Sequence, residues 1–539
     1  MSERVPVGSW IGPDERPIAA WWSEPAWPSR HGVVIASPIG YEWWSTHRTL
    51  RTLAERLAAR GHTVVRFDYD GTGDSAGGRW DGARVEAWRS SLGHAVAALR
   101  SRGVEHVTIV GLRLGGLLAL LDGAAHGADA VVGWVPVTSG RRFAKELRLL
   151  GIPIPDRDGA SVMAGLVLTP ETVEGLGGLD AASIAAAPAP RVLVVTRPEA
   201  PLDDLVERLR GLGGSVEMAS VPGMEAALDV PSEDAVVPEA PVETIAAWIG
   251  DAPRTETALE PPQLRRDARI AVDGGVVRET IVEVGGLTAV RGGPLDGASR
   301  TVVAFLNSGS EAHVGPGRAW VDYARALALA GYATVRVDFS GWGESPDRGH
   351  APGRPYDRHC LDETIELVAQ LRADFDHVVL AGLCAGAWMA MRAAQDSQVD
   401  GIIAINPQLY WDFGCPVEAT IPQTRKRRTK IREREELGRR YGIWSALDAV
   451  GVRPMAARWF AALRRRRTPV LALFAEGDDG LEYLRNRVAR RFDRELEKGY
   501  LQVAELPDTD HQMYREWRRA EIAERMAAFV AGVEVGDGG

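Results

Sequence analysis

HVVLAGLCAGAWMAM, residues 377–391, is an apolar run that ends in Gly382-Leu383-Cys384-Ala385-Gly386 and continues into a stretch of good helix formers. A Gly-x-X-x-Gly turn between a buried strand and a helix holds its middle side chain out on a tight, strained bend, close to the helix N-terminus. That position suits a nucleophile, and a thiol can attack a carbonyl. HVTIVGLRLGGLLAL, residues 106–120, repeats the pattern with Arg113 in the middle. A guanidinium stays protonated and has no lone pair to offer. The reading is one reactive half and one inert half.

The repeat extends beyond the turn. GHTVVRFDYDGTGDS begins at Gly61 and GYATVRVDFSGWGES at Gly331, and these run in step with Arg113 and Cys384 to within one residue. Two long copies mean tandem domains rather than a solenoid, and 539 residues is more than one core usually holds. DAPRTETALEPPQ, from Asp251, is polar, proline-bearing and without apolar period. The expected domains are therefore 1–250, a linker at 251–265, and 266–535. Within each, short β-branched runs alternate with amphipathic stretches, which predicts an α/β fold: a mostly parallel sheet covered by helices on both faces.

Composition narrows the function. A net charge of −10 argues against a nucleic-acid binder. The arginine-rich runs carry less weight because only four of the 63 basic residues are lysine, a bias of the whole chain. Cys360, Cys384 and Cys415 show no metal-ligand spacing, so neither a zinc site nor a disulfide framework is expected, and no motif implies a cofactor. No stretch approaches about 18 uninterrupted apolar residues, and MSERVPVGSWIGPDERP does not read as a leader. The expectation is a cytoplasmic protein without a membrane partner.

In the second half the predicted strands start at Thr301, Ala333, His377, Gly401, Pro469 and Leu501. Ligands in such sheets bind beyond the carboxyl ends of the strands. Cys384, Asn406, Asp478 and His511 all follow strand ends, and His511 is the only histidine after Cys384. The assigned roles are a thiolate at Cys384, a proton carrier at His511 and an orienting carboxylate at Asp478, with Asp479 and Glu476 as alternatives. Against these stand blander readings: a buried hydrophobe at Cys384, a helix-capping histidine, and a turn or N-cap carboxylate in Asp478-Asp479-Gly480. Oxyanion donors are expected from the Ala385 amide and from Asn307 to Ser310, with Ser308 and Gly309 as the candidates.

These residues and their order resemble the alpha/beta-hydrolase superfamily, and in particular its serine aminopeptidase branch. Hydrolases associated with exosortase and polysaccharide gene clusters are similar through GYEWWSTHRTLRTLAERLAARGHTVVRFDYDGTGDSAG and NSGSEAHVGPGRAW. The resemblance implies two tandem alpha/beta-hydrolase domains, the second with a helical lid insertion at about 407–468. Neither elbow has serine, and cysteine nucleophiles occur in relatives such as dienelactone hydrolases and polyhydroxyalkanoate synthases. The implied activity is cleavage or transfer of an acyl group (ester, thioester or amide) through an acyl-cysteine, on a small-molecule or carrier-bound substrate. A non-catalytic binding or scaffold protein is the alternative, and a peptidase the third option.

The first half offers no general base, since no histidine lies between His126 and His313 and Met224 falls near the expected place. Arg113 forms a structural salt bridge or contacts an anionic ligand. Further candidate substrate contacts are Tyr410, Trp411 and His313. The basic run from Thr424 reads either as a locally paired solvated face or as a site for a phosphate-bearing acyl donor.

Overall fold

The computed structural model describes residues 5–230, 232–256, 264–309, 311–350, 354–409, 455–488 and 490–536. The chain divides into two units, Met1–Ile281 and Val282–Gly539. In the first, β1 (Val7–Ile11), β2 (Ile18–Ser23), β3 (His31–Ala36), β4 (Thr63–Phe67), β5 (His106–Leu112) and β6 (Ala130–Trp134) precede a separate antiparallel sheet. That small sheet is β7 (Ile152–Pro153), β8 (Ser161–Met163) and β9 (Leu166–Leu168), and β10 (Arg191–Thr196) and β11 (Ser215–Ser220) return to the large one. The large sheet has the order β1-β2-β4-β3-β5-β6-β10-β11, parallel from β4 onward with β1 and β2 antiparallel at one edge.

A nine-stranded sheet follows. Its members are β12 (Asp267–Val272), β13 (Gly275–Val284), β14 (Leu287–Pro294), β15 (Thr301–Phe305), β16 (Ala333–Val337), β17 (His377–Leu383), β18 (Gly401–Ile405), β19 (Val470–Ala475) and β20 (Leu501–Leu506), in the order β12-β13-β14-β16-β15-β17-β18-β19-β20. From β13 this order matches the first sheet strand for strand, including the crossed pair β16-β15. The six strands expected in this half are present. The polar stretch from Asp251 ends before the division between the units, because Arg265 and Arg266 still bond to Trp10: Trp10 N donates to Arg265 O and its indole to Arg266 O.

Both faces of the sheets are covered, which is why the strands read as continuous apolar runs. Along β17, Val378 and Leu380 pack with Trp388 and Met391 on one face, while Val379, Ala381 and Leu383 pack with Trp320, Leu327 and Phe529 on the other. β3 divides likewise, Val34 and Ala36 against Val33 and Ile35. The parallel order β17-β18-β19-β20 sets four consecutive strand ends side by side. Cys384, Asn406, Asp478 and His511 follow these four ends in turn.

Among the described residues no helix is long and apolar enough to cross a membrane. Tyr410, Trp411, Cys415 and the basic run from Thr424 lie outside the described residues; of the expected lid, the helix Met455–Arg465 is described.

Candidate active site

The bend between β17 and the helix Ala385–Ala393 is set by glycines. A Cβ added to Gly382 would lie 2.2 Å from the Gly386 carbonyl carbon, and one on Gly386 would lie 2.6 Å from Asn307 O, so strand, helix and neighbouring loop touch backbone to backbone. Cys384 takes φ 54°, ψ −109° at the apex, a left-handed conformation that costs a non-glycine residue about 1–3 kcal/mol. Its amide donates to Ile405 O (2.9 Å) and its carbonyl accepts from Trp388 N (3.1 Å), which fixes the apex between β18 and the first helical turn. The side chain stays partly exposed.

His511 lies on the loop after β20. Its Nδ1 donates to Asp478 Oδ2 at 2.7 Å, and the histidine side chain keeps 28% exposure against 7% for the aspartate. The other Asp478 oxygen accepts from Gly480 N at 2.8 Å, capping the short helix Asp479–Tyr483. Asp478 therefore caps the helix with one oxygen and accepts from His511 with the other. Glu476 instead accepts from Asp508 N (3.3 Å), and the final helix begins only at Arg519, so His511 does not cap it. Burial pushes the imidazole down, but the Cys384 charge, the hydrogen bond to Asp478 and a hydrogen-bonding interaction with Cys384 outweigh it and raise the pKa to about 10. His511 is thus the residue on which both Cys384 and Asp478 act.

Asn406 is the residue whose role the sequence did not disclose. It sits fully buried at the end of β18 with φ 44°. Its Nδ2 donates to His511 O (2.8 Å) and its Oδ1 accepts from Ala475 N (2.8 Å), so one amide ties the histidine loop to the strand that carries Asp478. Only the strand-end position hinted at this.

On the other side of Cys384 lies the loop after β15. Ala385 opens the elbow helix, and Ser308 is buried beside Asn307, whose backbone oxygen faces Gly386. Gly309 has φ 57°, and its carbonyl accepts from the Trp342 indole at 3.0 Å. Ser310 lies outside the described residues. His313 is only 2% exposed, and its Nδ1 donates to Asp338 Oδ2 at 2.6 Å, which places it beneath the loop rather than on an open surface. Cys360 is buried, and burial pushes its thiol well above the ordinary value.

The first unit repeats the bend with an arginine at its apex. Arg113 has φ 56°, ψ −114°, and a Cβ on Gly111 would lie 2.1 Å from Gly115 O. The Arg113 guanidinium donates to Glu42 Oε1 (2.7 Å), which is the salt bridge considered above. Met224 is buried at the end of its loop. Among the described residues no group of three or more His, Cys, Asp or Glu side chains is placed to hold a metal ion.

Residues 305–538 match the model of a family described as the alpha/beta hydrolase family. The match covers most of the second unit, whose fold is that of an alpha/beta hydrolase. No curated protein matches the chain. Similar solved structures include Est1E from Butyrivibrio proteoclasticus, 19% identical over 45% of this chain and 98% of that one, with a TM-score of 0.33. A dienelactone hydrolase from Anabaena variabilis is 14% identical over 49% and 97% of the two chains (TM-score 0.31). A monoacylglycerol lipase from Paleococcus ferrophilus is 15% identical over 46% and 99% (TM-score 0.30). Each spans about half of this chain.

Proposed function

We propose that the second unit cleaves or transfers an acyl group through a thioester on Cys384. The carrying observation is the 2.7 Å bond from His511 Nδ1 to Asp478, in an imidazole whose proton affinity is raised by Cys384. That influence is mutual, because an imidazolium beside the sulfur favours the thiolate. The thiolate attacks the carbonyl carbon of an ester, thioester or amide; the new C–S bond pushes an electron pair onto the carbonyl oxygen. The Ala385 amide and an amide of the Ser308–Gly309 segment receive that charge. On collapse the leaving group departs with the proton from His511 Nε2. His511 then takes a proton from water or an acceptor nucleophile, which attacks the thioester and frees Cys384. Asp478 keeps the proton on Nδ1 throughout, so that Nε2 is the working atom.

The alkylation rate of Cys384 by iodoacetamide against pH, resolved by peptide mass spectrometry, tests the coupling, with Cys360 as internal reference. The parent is expected to react with an apparent pKa well below about 8.5, and His511→Ala to lose that advantage. A Cys384 that reacts no faster than Cys360 and ignores the substitution would remove the acyl-enzyme reading in favour of a binding protein.

A further inference from the structure

We propose that the buried His313–Asp338 pair is a positioning device that sets the oxyanion loop of the second unit for acyl transfer to Cys384, an inference that rests on the acyl-enzyme reading. Asp338 follows β16 and is wholly buried. Four donors converge on its two oxygens. Oδ1 accepts from His313 N (2.6 Å) and Asn307 Nδ2 (2.9 Å), and Oδ2 from His313 Nδ1 (2.6 Å) and Glu344 N (2.9 Å). Burial alone would push the carboxyl up, but the His313 charge and these donors hold it below the usual carboxylate range, so it serves as an acceptor only.

The sequence positions of the donors give the arrangement its meaning. Asn307 and His313 are the two ends of the loop that contains Ser308 and Gly309, so a single carboxylate pins the loop at both ends. Asn307 also donates to Glu311 O (2.9 Å) and accepts from Phe339 N (2.8 Å), while its own carbonyl faces Gly386 in the elbow helix. Between the pins, the Trp342 indole holds the Gly309 carbonyl. The loop amides and the amide of Ala385 are thereby referred to one rigid frame, which is what transition-state donors need, since misplacement by about 1 Å can cost about 100-fold in rate.

The inert half separates the positioning contacts from those that merely close a turn. Asp68 is the counterpart of Asp338. It accepts from Asp74 N (3.0 Å) as Asp338 does from Glu344 N, and Ser75 Oγ donates to Asp68 O (2.7 Å) as Ser345 Oγ donates to Asp338 O (2.6 Å). Those bonds occur where no chemistry is done and belong to the fold. The first unit's loop runs Ser37-Pro38-Ile39-Gly40 directly into the helix Tyr41–Ala59, with no histidine.

The test compares two reactions of the same sulfur in the full chain. Acetylation of Cys384 by p-nitrophenyl acetate passes through a tetrahedral oxyanion and expels p-nitrophenolate. Alkylation by iodoacetamide displaces iodide at a saturated carbon and needs no oxyanion donor. His313→Ala is expected to slow acetylation by about 10- to 100-fold while alkylation stays within about twofold, and His313→Asn, which keeps a donor near the position of Nδ1, to recover most of the loss. If His313→Ala does not fold, Trp342→Phe loosens the same loop from its other side and should show the same split. Unchanged acetylation, or acetylation and alkylation falling together, would overturn the positioning role and leave the acyl-enzyme reading standing. Failure of the parent to form acetyl-Cys384 would remove that reading and the inference with it.

Discussion

At the residue scale the site depends on how charge is shared between a sulfur and an imidazole. Burial lowers the proton affinity of His511, and it is the Cys384 charge, together with the Asp478 bond, that reverses the sign. Cys384→Ala should therefore bring the imidazole pKa down from about 10, read from the pH dependence of its ring proton resonances. The same shift bears on stability. A folded pKa above the unfolded value of about 6.5 gives a contribution fully present below about 6.5 and lost as pH rises through about 10. Cys384→Ala should flatten that alkaline loss in denaturant titrations. Asp478→Asn keeps an oxygen for Gly480 N, so the helix start survives, while Nδ1 loses its anionic acceptor. Deacylation turnover is expected to fall by about 1,000- to 10,000-fold with little change in melting temperature. A loss below tenfold would move the orienting role to another carboxylate.

At the scale of elements, the elbow is a contact between backbones. A methyl on Gly386 meets Asn307 O and one on Gly115 meets Ala36 O (2.3 Å), neither of which is a side chain able to swing away. Each Gly→Ala change should cost about 1–3 kcal/mol, but only Gly386→Ala should slow acetylation of Cys384, since only it pushes on the oxyanion loop. Asn406→Ala cuts the tie between β19 and the histidine loop; it should destabilise the second unit by about 1–3 kcal/mol and slow turnover more than it slows alkylation of Cys384. These elements differ in how visible they were beforehand. The strands β15 to β20 and the elbow were legible because two covered faces demand apolar runs and a tight bend demands glycines. Cys384, Asp478 and His511 were legible as candidates because each follows a strand end. Asn406 and the Asp338 network were not, since a side chain that bonds to backbone or histidine 25 or more residues away leaves no periodic trace. The small sheet β7–β9 was equally silent: strands of two or three residues are too short to show alternation.

At the scale of the whole molecule, two sheets of matching order carry opposite side chains on the same bend. Glu42 is partly buried, and that burial raises its carboxyl above the usual range against the pull of Arg113. Arg113→Ala removes that pull and raises it further. An acid with a raised folded pKa loses stability as pH climbs from its unfolded value through its folded one, so the deficit of the variant should be larger at pH 8 than at pH 5. Calorimetric scans at the two pH values check this, and Cys384 acetylation at pH 8 should be unchanged in the variant at temperatures below unfolding. An equal deficit at both pH values would mean that Arg113 does not answer the Glu42 charge. The near-identical apex angles of Arg113 and Cys384 also have a practical side: the chain carries its own blank. Any solvent, temperature or ligand effect that perturbs both bends alike reports on the architecture, and what remains after subtracting the first bend from the second is the signature of the sulfur.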